Sequence, residues 1–214
     1  MTDNKMTTEI LTIDKGQCLT DVLPAIPANT IFDKTITGCG ATHSEIVNAA
    51  RHSIIIEPNI PVILGKKAEH PFLFAVYEGI TKEDVKAYLA GEHDGYRKII
   101  TTPEGFDKKV LPAMHELEIP VYKDYFLLFD ECEKAIQDVG SRGDIYLPVE
   151  DFFKFENKAM VSATPIVPSD PRFEENGFKI LKLVPTYDSR IELTLCTTNN
   201  TVAVMRKLLK RLEN

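Results

Sequence analysis

The sequence Tyr125-Phe-Leu-Leu-Phe-Asp-Glu131 joins an unbroken apolar run to a pair of acids. Strands of parallel sheets are covered on both faces, so they are apolar at nearly every position. The run 125–129 therefore predicts a central parallel strand. Open α/β sheets bind ligands beyond the carboxyl ends of their strands, which places Asp130 and Glu131 at the edge where a ligand is expected.

Further short apolar segments, each closed by turn residues, are predicted as buried strands. They are residues 53–56, 61–64, 72–76, 98–101, 159–163 and 179–184. A helix is predicted over 81–90, where Thr81 can cap the first turn and Gly91 can end the last. A basic amphipathic helix is predicted over 198–212. Strands that alternate with helices indicate an α/β fold.

Composition limits the class of protein. The 214 residues are 43% hydrophobic and 27% charged, which is typical of one globular domain. The net charge of −7 argues against binding nucleic acid through the whole surface, although a local basic groove remains open. The four cysteines are widely spaced and predict neither a disulfide framework nor a zinc site.

No apolar run approaches the roughly 20 residues that a membrane span requires. The first residues are polar and do not resemble a signal peptide. A cytoplasmic protein without membrane contact is therefore expected.

The first candidate site is the loop Thr35-Ile-Thr-Gly-Cys-Gly-Ala-Thr42, which precedes a helical pattern over 43–51. Two close glycines before a helix can direct backbone N–H groups at a phosphate, although such glycines also occur in ordinary tight turns. The full phosphate-loop pattern is not met, because Ala41 stands where that pattern has lysine and Thr35 where it has its first glycine.

The second candidate site is the acidic pair at the end of the central strand. Hard cations prefer oxygen ligands, so Asp130 could hold Mg²⁺ through water while Glu131 orients an attacking water. Acids at this position could equally cap a helix over 134–139, because the helix dipole favours negative charge at its start. The pair alone does not decide between these interpretations.

Two other predicted strands end in polar turns, Thr101-Thr-Pro-Glu-Gly105 and Val161-Ser-Ala-Thr-Pro165. Taken in order with the glycine loop and Asp130-Glu-Cys-Glu133, they resemble the motifs of the first RecA-like domain of superfamily 2 (DEAD/DEAH-like) helicases. Ser53-Ile-Ile-Ile-Glu-Pro-Asn59 is similar to the strand and turn that follow the phosphate-loop helix in that family. The resemblance spans about residues 30–185.

The resemblance implies a three-layer P-loop NTPase (RecA-like) fold with a mainly parallel sheet, and ATP and Mg²⁺ as ligands. It implies that Asp130 and Thr42 hold Mg²⁺ and that Glu131 positions water. The remaining implied roles are phosphate contact for Thr37, Gly38, Cys39, Gly40, Ala41 and Thr42, coupling between sites for Ser162 and Thr164, and nucleic-acid contact for Pro58, Asn59, Thr102 and Gly105.

The chain departs from the family at Ala41, which removes the lysine that contacts the phosphates. Hydrolysis is then expected only if another cation substitutes, and the candidates are Lys34, Lys66 and Lys67. The second departure is the lack of a second RecA-like lobe. Residues 1–190 are interpreted as the first lobe, and residues 191–214 as a strand and helix leading towards the second.

The leading prediction is thus the nucleotide-binding lobe of a helicase-like protein that acts on DNA or RNA, with a second lobe or a partner protein completing it. The alternative is a RecA-like scaffold or interaction module that has lost nucleotide turnover.

Overall fold

The computed structural model describes residues 6–132, 149–164, 170–188 and 200–212. Its strands are β1 (Thr8–Ile13), β2 (Thr30–Asp33), β3 (His52–Ile56), β4 (Phe74–Val76), β5 (Lys98–Thr101), β6 (Tyr125–Asp130), β7 (Asn157–Ser162) and β8 (Lys179–Pro185). They form one sheet in the order β1-β8-β2-β7-β6-β3-β5-β4. Every neighbouring pair in this order is parallel.

Helices connect the strands. They are α1 (Leu19–Val22), α2 (Ala41–Val47), α3 (Ile60–Glu69), α4 (Lys82–Ala90), α5 (Pro103–Gly105), α6 (Leu111–Glu116), α7 (Val121–Asp124), α8 (Val149–Lys154), α9 (Pro171–Glu175) and α10 (Thr201–Leu212). A π-helical turn, Phe106–Val110, joins α5 to α6. Within the described residues, none of these helices has the length and apolarity that crossing a membrane requires.

Strand β6 lies inside the sheet, as its uniform apolarity predicts, and all six of its residues are buried. Leu127 and Phe129 pack in the hydrophobic core on one face of the sheet, whereas Phe126 and Leu128 pack in the core on the other. This alternation follows from the two-residue period of a strand. Cores on both faces of a parallel sheet confirm the predicted α/β class, and the arrangement is consistent with a RecA-like domain.

Most predicted strands lie within two residues of their observed bounds. The segment 98–101 forms β5 without change, and 125–129 extends by one residue to Asp130. Segments 53–56, 72–76, 159–163 and 179–184 correspond to β3, β4, β7 and β8. Strands β1 and β2 were not predicted, since β1 has mostly exposed or half-exposed residues and β2 is only four residues long.

The strand predicted over 61–64 is wrong, because these residues lie in α3. Pro61 occupies the first turn of the helix, where its missing N–H costs nothing, and proline is excluded from central strands. Only Ile63 of this helix is buried, while Val62 and Leu64 are 40% and 44% exposed. The apolar run therefore belongs to a half-exposed helix and not to a strand that is buried on both faces of the sheet.

Two of the predicted helices agree with the structure, and a third is displaced along the chain. Thr81 caps α4 by accepting a hydrogen bond from Asp84 N at 3.2 Å, and Gly91 ends it. The helical pattern over 43–51 was placed too late, because α2 begins at Ala41 and ends when Asn48 turns to an extended conformation. Helix α10 lies within the predicted 198–212, whereas the helix predicted over 134–139 and the strand expected after 190 lie outside the described residues.

Candidate nucleotide site

Four adjacent strands bring the predicted site residues to one edge of the sheet. The order β2-β7-β6-β3 places the carboxyl ends of these strands side by side, because all of them run in the same direction. Lys34 follows β2, and its N–H donates to the carbonyl of Ser162, the last residue of β7, at 2.9 Å. Asp130 ends β6.

A cavity of about 310 Å³ opens at this edge. Its lining comprises the glycine loop and the start of α2, two lysines, and acids from two strand ends. The residues are Lys34, Gly38, Cys39, Gly40, Ala41, Thr42, His43, Glu57, Asn59, Val62, Lys66, Asp130 and Glu131. Among the predicted phosphate contacts, Gly38 to Thr42 line the cavity. Thr37 is exposed and is not part of the lining.

Lys34 places a cation inside this cavity. Its Nζ lies 3.2 Å from Asp130 Oδ1 and 2.8 Å from Glu131 Oε1, and its side chain is only 10% exposed. Burial by itself lowers the pKa of Lys34, but the negative charges of Asp130 and Glu131 and their hydrogen bonds outweigh it, so that the net pKa is raised. Lys34 therefore carries a full positive charge at every physiological pH.

The other two lysines considered from the sequence differ in position. Lys66 lines the cavity, and its Nζ pairs with Glu69 Oε2 at 2.8 Å. Lys67 donates to the carbonyl of Pro71 at 2.7 Å and is not part of the lining. Lys34 is thus the candidate cation that contacts the acidic pair.

The glycine loop depends on backbone conformations that other residues rarely adopt. Gly38 and Gly40 have φ of +75° and +89°, in the left-handed region. The loop is tied down by Leu19 N, which donates to the Cys39 carbonyl at 2.8 Å. Cys39 and Ala41 are buried in the core beneath the loop, as expected of small apolar residues.

Asp130 and Thr42, the predicted Mg²⁺ ligands, are in direct contact. The Thr42 hydroxyl donates to Asp130 Oδ2, and Asp130 Oδ1 accepts from both Lys34 Nζ and Glu131 N. Asp130 is only 2% exposed. Glu131 has φ of +51°, a left-handed conformation that is uncommon for a residue with a β-carbon and is found at functional sites.

The oxygen atoms of Asp130 and Thr42 fit Mg²⁺ as ligands. A carboxylate and a hydroxyl are hard oxygen ligands, and Mg²⁺ in nucleotide sites is commonly held by one or two protein groups together with phosphates and water. Within the described residues, no three His, Cys, Asp or Glu side chains are placed to hold an ion by themselves. The residues present therefore fit a Mg²⁺ that is held partly by ligands from outside the chain, and the binding of this ion stays a prediction.

Glu57 is a residue of this cavity to which the sequence reasoning gave no role. It follows β3 directly, is 1% exposed, and accepts hydrogen bonds at Oε1 from Asn59 N and Asn59 Nδ2, both at 2.8 Å. Burial, with the charges of Asp130 and Glu131, raises the pKa of Glu57 against the opposing effect of Asn59. An acid after the apolar run Ile54-Ile-Ile56 is the same signal that identified Asp130.

Of the two predicted coupling residues, Ser162 lies beside Lys34 and Thr164 is bonded to Ser162. Ser162 is fully buried on β7, opposite Asp33 of β2, and its hydroxyl accepts from Thr164 N at 2.9 Å. A displacement of β7 would therefore reach the loop that carries Lys34. The coupling role itself stays a prediction.

The predicted nucleic-acid contacts form two turns on adjacent strands. Pro58 and Asn59 follow β3, and Thr102 and Gly105 follow its neighbour β5. Thr102 caps α5 by accepting from Gly105 N at 3.0 Å. The turns leave the same edge of the sheet, but contact with nucleic acid stays a prediction.

Comparison with known proteins finds little sequence likeness. No protein-family model matches the chain, and no curated protein is similar to it. A similar solved structure is the helicase domain of Hef from Pyrococcus furiosus, with a TM-score of 0.43 and 13% identity over 85% of this chain and 35% of that one. The chain thus spans about a third of that protein, and a likeness this low leaves the function to be argued from the site.

Proposed function

We propose that this chain is the Mg-ATP-binding lobe of a helicase-like protein acting on DNA or RNA, in which Lys34 replaces the phosphate-binding lysine that Ala41 lacks. The observation that carries the proposal is the position of Lys34 Nζ, inside the glycine-loop cavity and within 3.2 Å of both Asp130 and Glu131. Lys34 lies seven residues before Ala41 in the sequence, at the start of the same loop.

The electrostatic argument favours Lys34 as the phosphate contact. A unit charge 4 Å from another contributes about 4 kcal/mol at an effective dielectric constant near 20. An ammonium group in this cavity would therefore recover most of the attraction that Ala41 cannot supply. Because the pKa of Lys34 is raised, no proton has to be gained before a phosphate binds.

Binding would exchange one set of partners for another. In this structure Lys34 pairs with Asp130 and Glu131. A nucleotide phosphate that draws Lys34 towards itself would release the two acids, so that Asp130 and Thr42 hold Mg²⁺ and Glu131 orients water. Mg²⁺, when bound, neutralises phosphate charge and aligns the transferring group.

Action on nucleic acid is proposed for the two turns after β3 and β5. They project from the edge that also carries the cavity, and Asn59 contacts Glu57 within the cavity lining. With a net charge of −7, the chain would contact DNA or RNA locally, and closure of a cleft would depend on a second lobe or a partner protein.

The competing function is a scaffold without turnover. Its support is that Lys34 pairs with both Asp130 and Glu131, as it would in a purely structural ion cluster. The two functions differ in whether the cluster opens for a nucleotide.

Calorimetric titration with Mg-ATP separates them. We expect saturable binding by the wild-type chain, at least tenfold weaker binding by Lys34→Ala and by Asp130→Ala, and wild-type affinity for Lys67→Ala, whose lysine lies outside the cavity lining. Bound ligand also raises the free energy of unfolding, by about 2.7 kcal/mol at a hundredfold excess over Kd. No heat and no stabilisation at millimolar Mg-ATP would overturn nucleotide binding by this lobe alone, and would leave a scaffold or a site that only a second lobe completes.

A further inference from the structure

Glu57 and Asp130 leave neighbouring strands at the same level. Ile56 pairs with Phe129 in the parallel register of β3 and β6, so the next residues along these strands are Glu57 and Asp130. Neighbouring strands lie about 4.8 Å apart. Both carboxylates line the glycine-loop cavity, together with Glu131.

The hydrogen bonds of Glu57 are confined to one of its two oxygens. Asn59 supplies both donors to Oε1, whereas no group in the described part of the chain donates to Oε2. A polar atom that is withdrawn from bulk solvent normally has a partner from the protein or from water. In a residue that is 1% exposed and borders the cavity, Oε2 is therefore placed to accept from a water or ligand inside it.

The charges in the cavity point to a cation as the missing partner. Lys34 pairs with Asp130 and Glu131, whereas the carboxylate of Glu57 accepts only from neutral N–H groups of Asn59 and pairs with no cation among the described residues. The raised pKa of Glu57, caused by burial first and then by the other two acids, describes a carboxylate whose charge is poorly compensated. If a phosphate draws Lys34 away, the deficit of positive charge grows further.

We propose that Glu57 is a third acidic group of the Mg²⁺ site and that its Oε2 accepts a hydrogen bond from a water bound to that ion. This inference rests on the proposed nucleotide-binding function. Contact through water fits the site, because no three acids or histidines of the described residues are placed to hold an ion directly. Mg²⁺ also loses its waters reluctantly and keeps several of them in proteins.

The consequence is that Glu57 controls metal affinity without contacting the nucleotide. Outer-shell partners of a metal site change its affinity by about 10- to 100-fold when mutated. Asn59 would keep the carboxylate in position by occupying Oε1. Glu57 is therefore expected to matter only when the divalent ion is present.

The test measures Mn²⁺ binding by electron paramagnetic resonance in the presence of saturating adenylyl-imidodiphosphate, a non-hydrolysable ATP analogue. We expect Glu57→Gln to weaken Mn²⁺ binding about 10- to 100-fold. Its affinity for the analogue in EDTA should equal that of the wild type. Glu78→Gln is the matched control, because Glu78 is an exposed acid that follows β4, the edge strand two positions from β3, and should leave both affinities unchanged.

Each outcome has a distinct meaning. Equal Mn²⁺ affinity in wild type and Glu57→Gln would overturn this inference and leave the proposed function standing. An equal loss with and without metal would also overturn it, since that pattern indicates a structural role. If the wild type binds no analogue at all, the proposed function fails and this inference with it. Should Glu57→Gln not fold, Glu57→Asp keeps the charge and is expected to give an intermediate Mn²⁺ affinity.

Discussion

The ammonium group of Lys98, on β5, lies 3.6 Å from Oε1 of Glu45, in the helix that follows the glycine loop. Both side chains are almost completely buried. Arg51 and Ser53 also donate to the Glu45 carboxylate, and Lys98 donates to the Ser53 hydroxyl at 2.9 Å. This cluster ties α2 to the sheet, together with the packing of Ile46 in the hydrophobic core, and α2 in turn holds the end of the glycine loop that borders the cavity.

Stability should rise with pH because of Lys98. Burial lowers the pKa of Lys98 from 10.5 to about 8, and this effect exceeds the opposing attraction of Glu45. Between these values the unfolded chain binds more protons than the folded one, so the free energy of unfolding increases with pH. We expect the wild type to gain about 2 kcal/mol relative to Lys98→Met between pH 8 and pH 10. Urea unfolding of both proteins across this range measures the difference, and parallel pH curves would contradict the assignment.

Removal of Lys34 should destabilise the chain, apart from the weaker nucleotide binding expected under the proposed function. Lys34→Ala removes the ammonium group that Asp130 and Glu131 share, and breaking a buried ion pair in this way costs about 3 kcal/mol. The additional change Glu131→Gln removes one of the two charges and should restore part of the loss. Urea unfolding of the wild type, Lys34→Ala, Glu131→Gln and the double variant gives the interaction free energy between Lys34 and Glu131. Additive effects would show that the ion pair contributes no energy of its own.

The sequence was sufficient for the parts of this fold that depend on local pattern. The uniform apolarity of 125–129 predicted β6, and the Thr81–Asp84 pair predicted the start of α4. The same reasoning failed at 61–64, where an apolar run beginning with proline belongs to a helix. Apolarity alone does not separate a buried strand from a half-exposed helix when the run is short.

The site was only partly predictable, because its contacts join distant parts of the chain. Lys34 was one of three candidate lysines, and only the folded loop shows that its Nζ reaches acids 96 and 97 residues away. Glu57 carried a readable signal, an acid after an apolar strand, but the helicase motifs gave it no role.

The stability of the turn after β5 should depend on the absence of a β-carbon at Gly105. A β-carbon at this position would lie 2.5 Å from Thr101 Oγ1 and 3.2 Å from the Val76 carbonyl. Gly105→Ala is therefore expected to cost about 1–3 kcal/mol, as overpacking of a close-packed site does. Gly65→Ala is the matched control, because its β-carbon meets no atom within 4 Å and alanine favours the interior of α3 by about 0.5–1 kcal/mol. Gly105→Ala should have a lower Tm than the wild type, and Gly65→Ala should not. Thermal unfolding of the three proteins measures the difference.

The Thr42 hydroxyl offers a test of the metal site that keeps the volume of the side chain. Thr42→Val removes the donor to Asp130 while preserving the branched shape, so the lost hydrogen bond to a charged group should cost about 1.5–3 kcal/mol of stability. Under the proposed function, the same change removes a Mg²⁺ ligand, and Mg-ATP affinity should fall at least tenfold, whereas affinity for ATP in EDTA should fall much less. Thr42→Ser keeps the hydroxyl and should retain both properties. Calorimetry with and without Mg²⁺ measures them, and a Thr42→Val variant that binds Mg-ATP as the wild type does would remove Thr42 from the metal site.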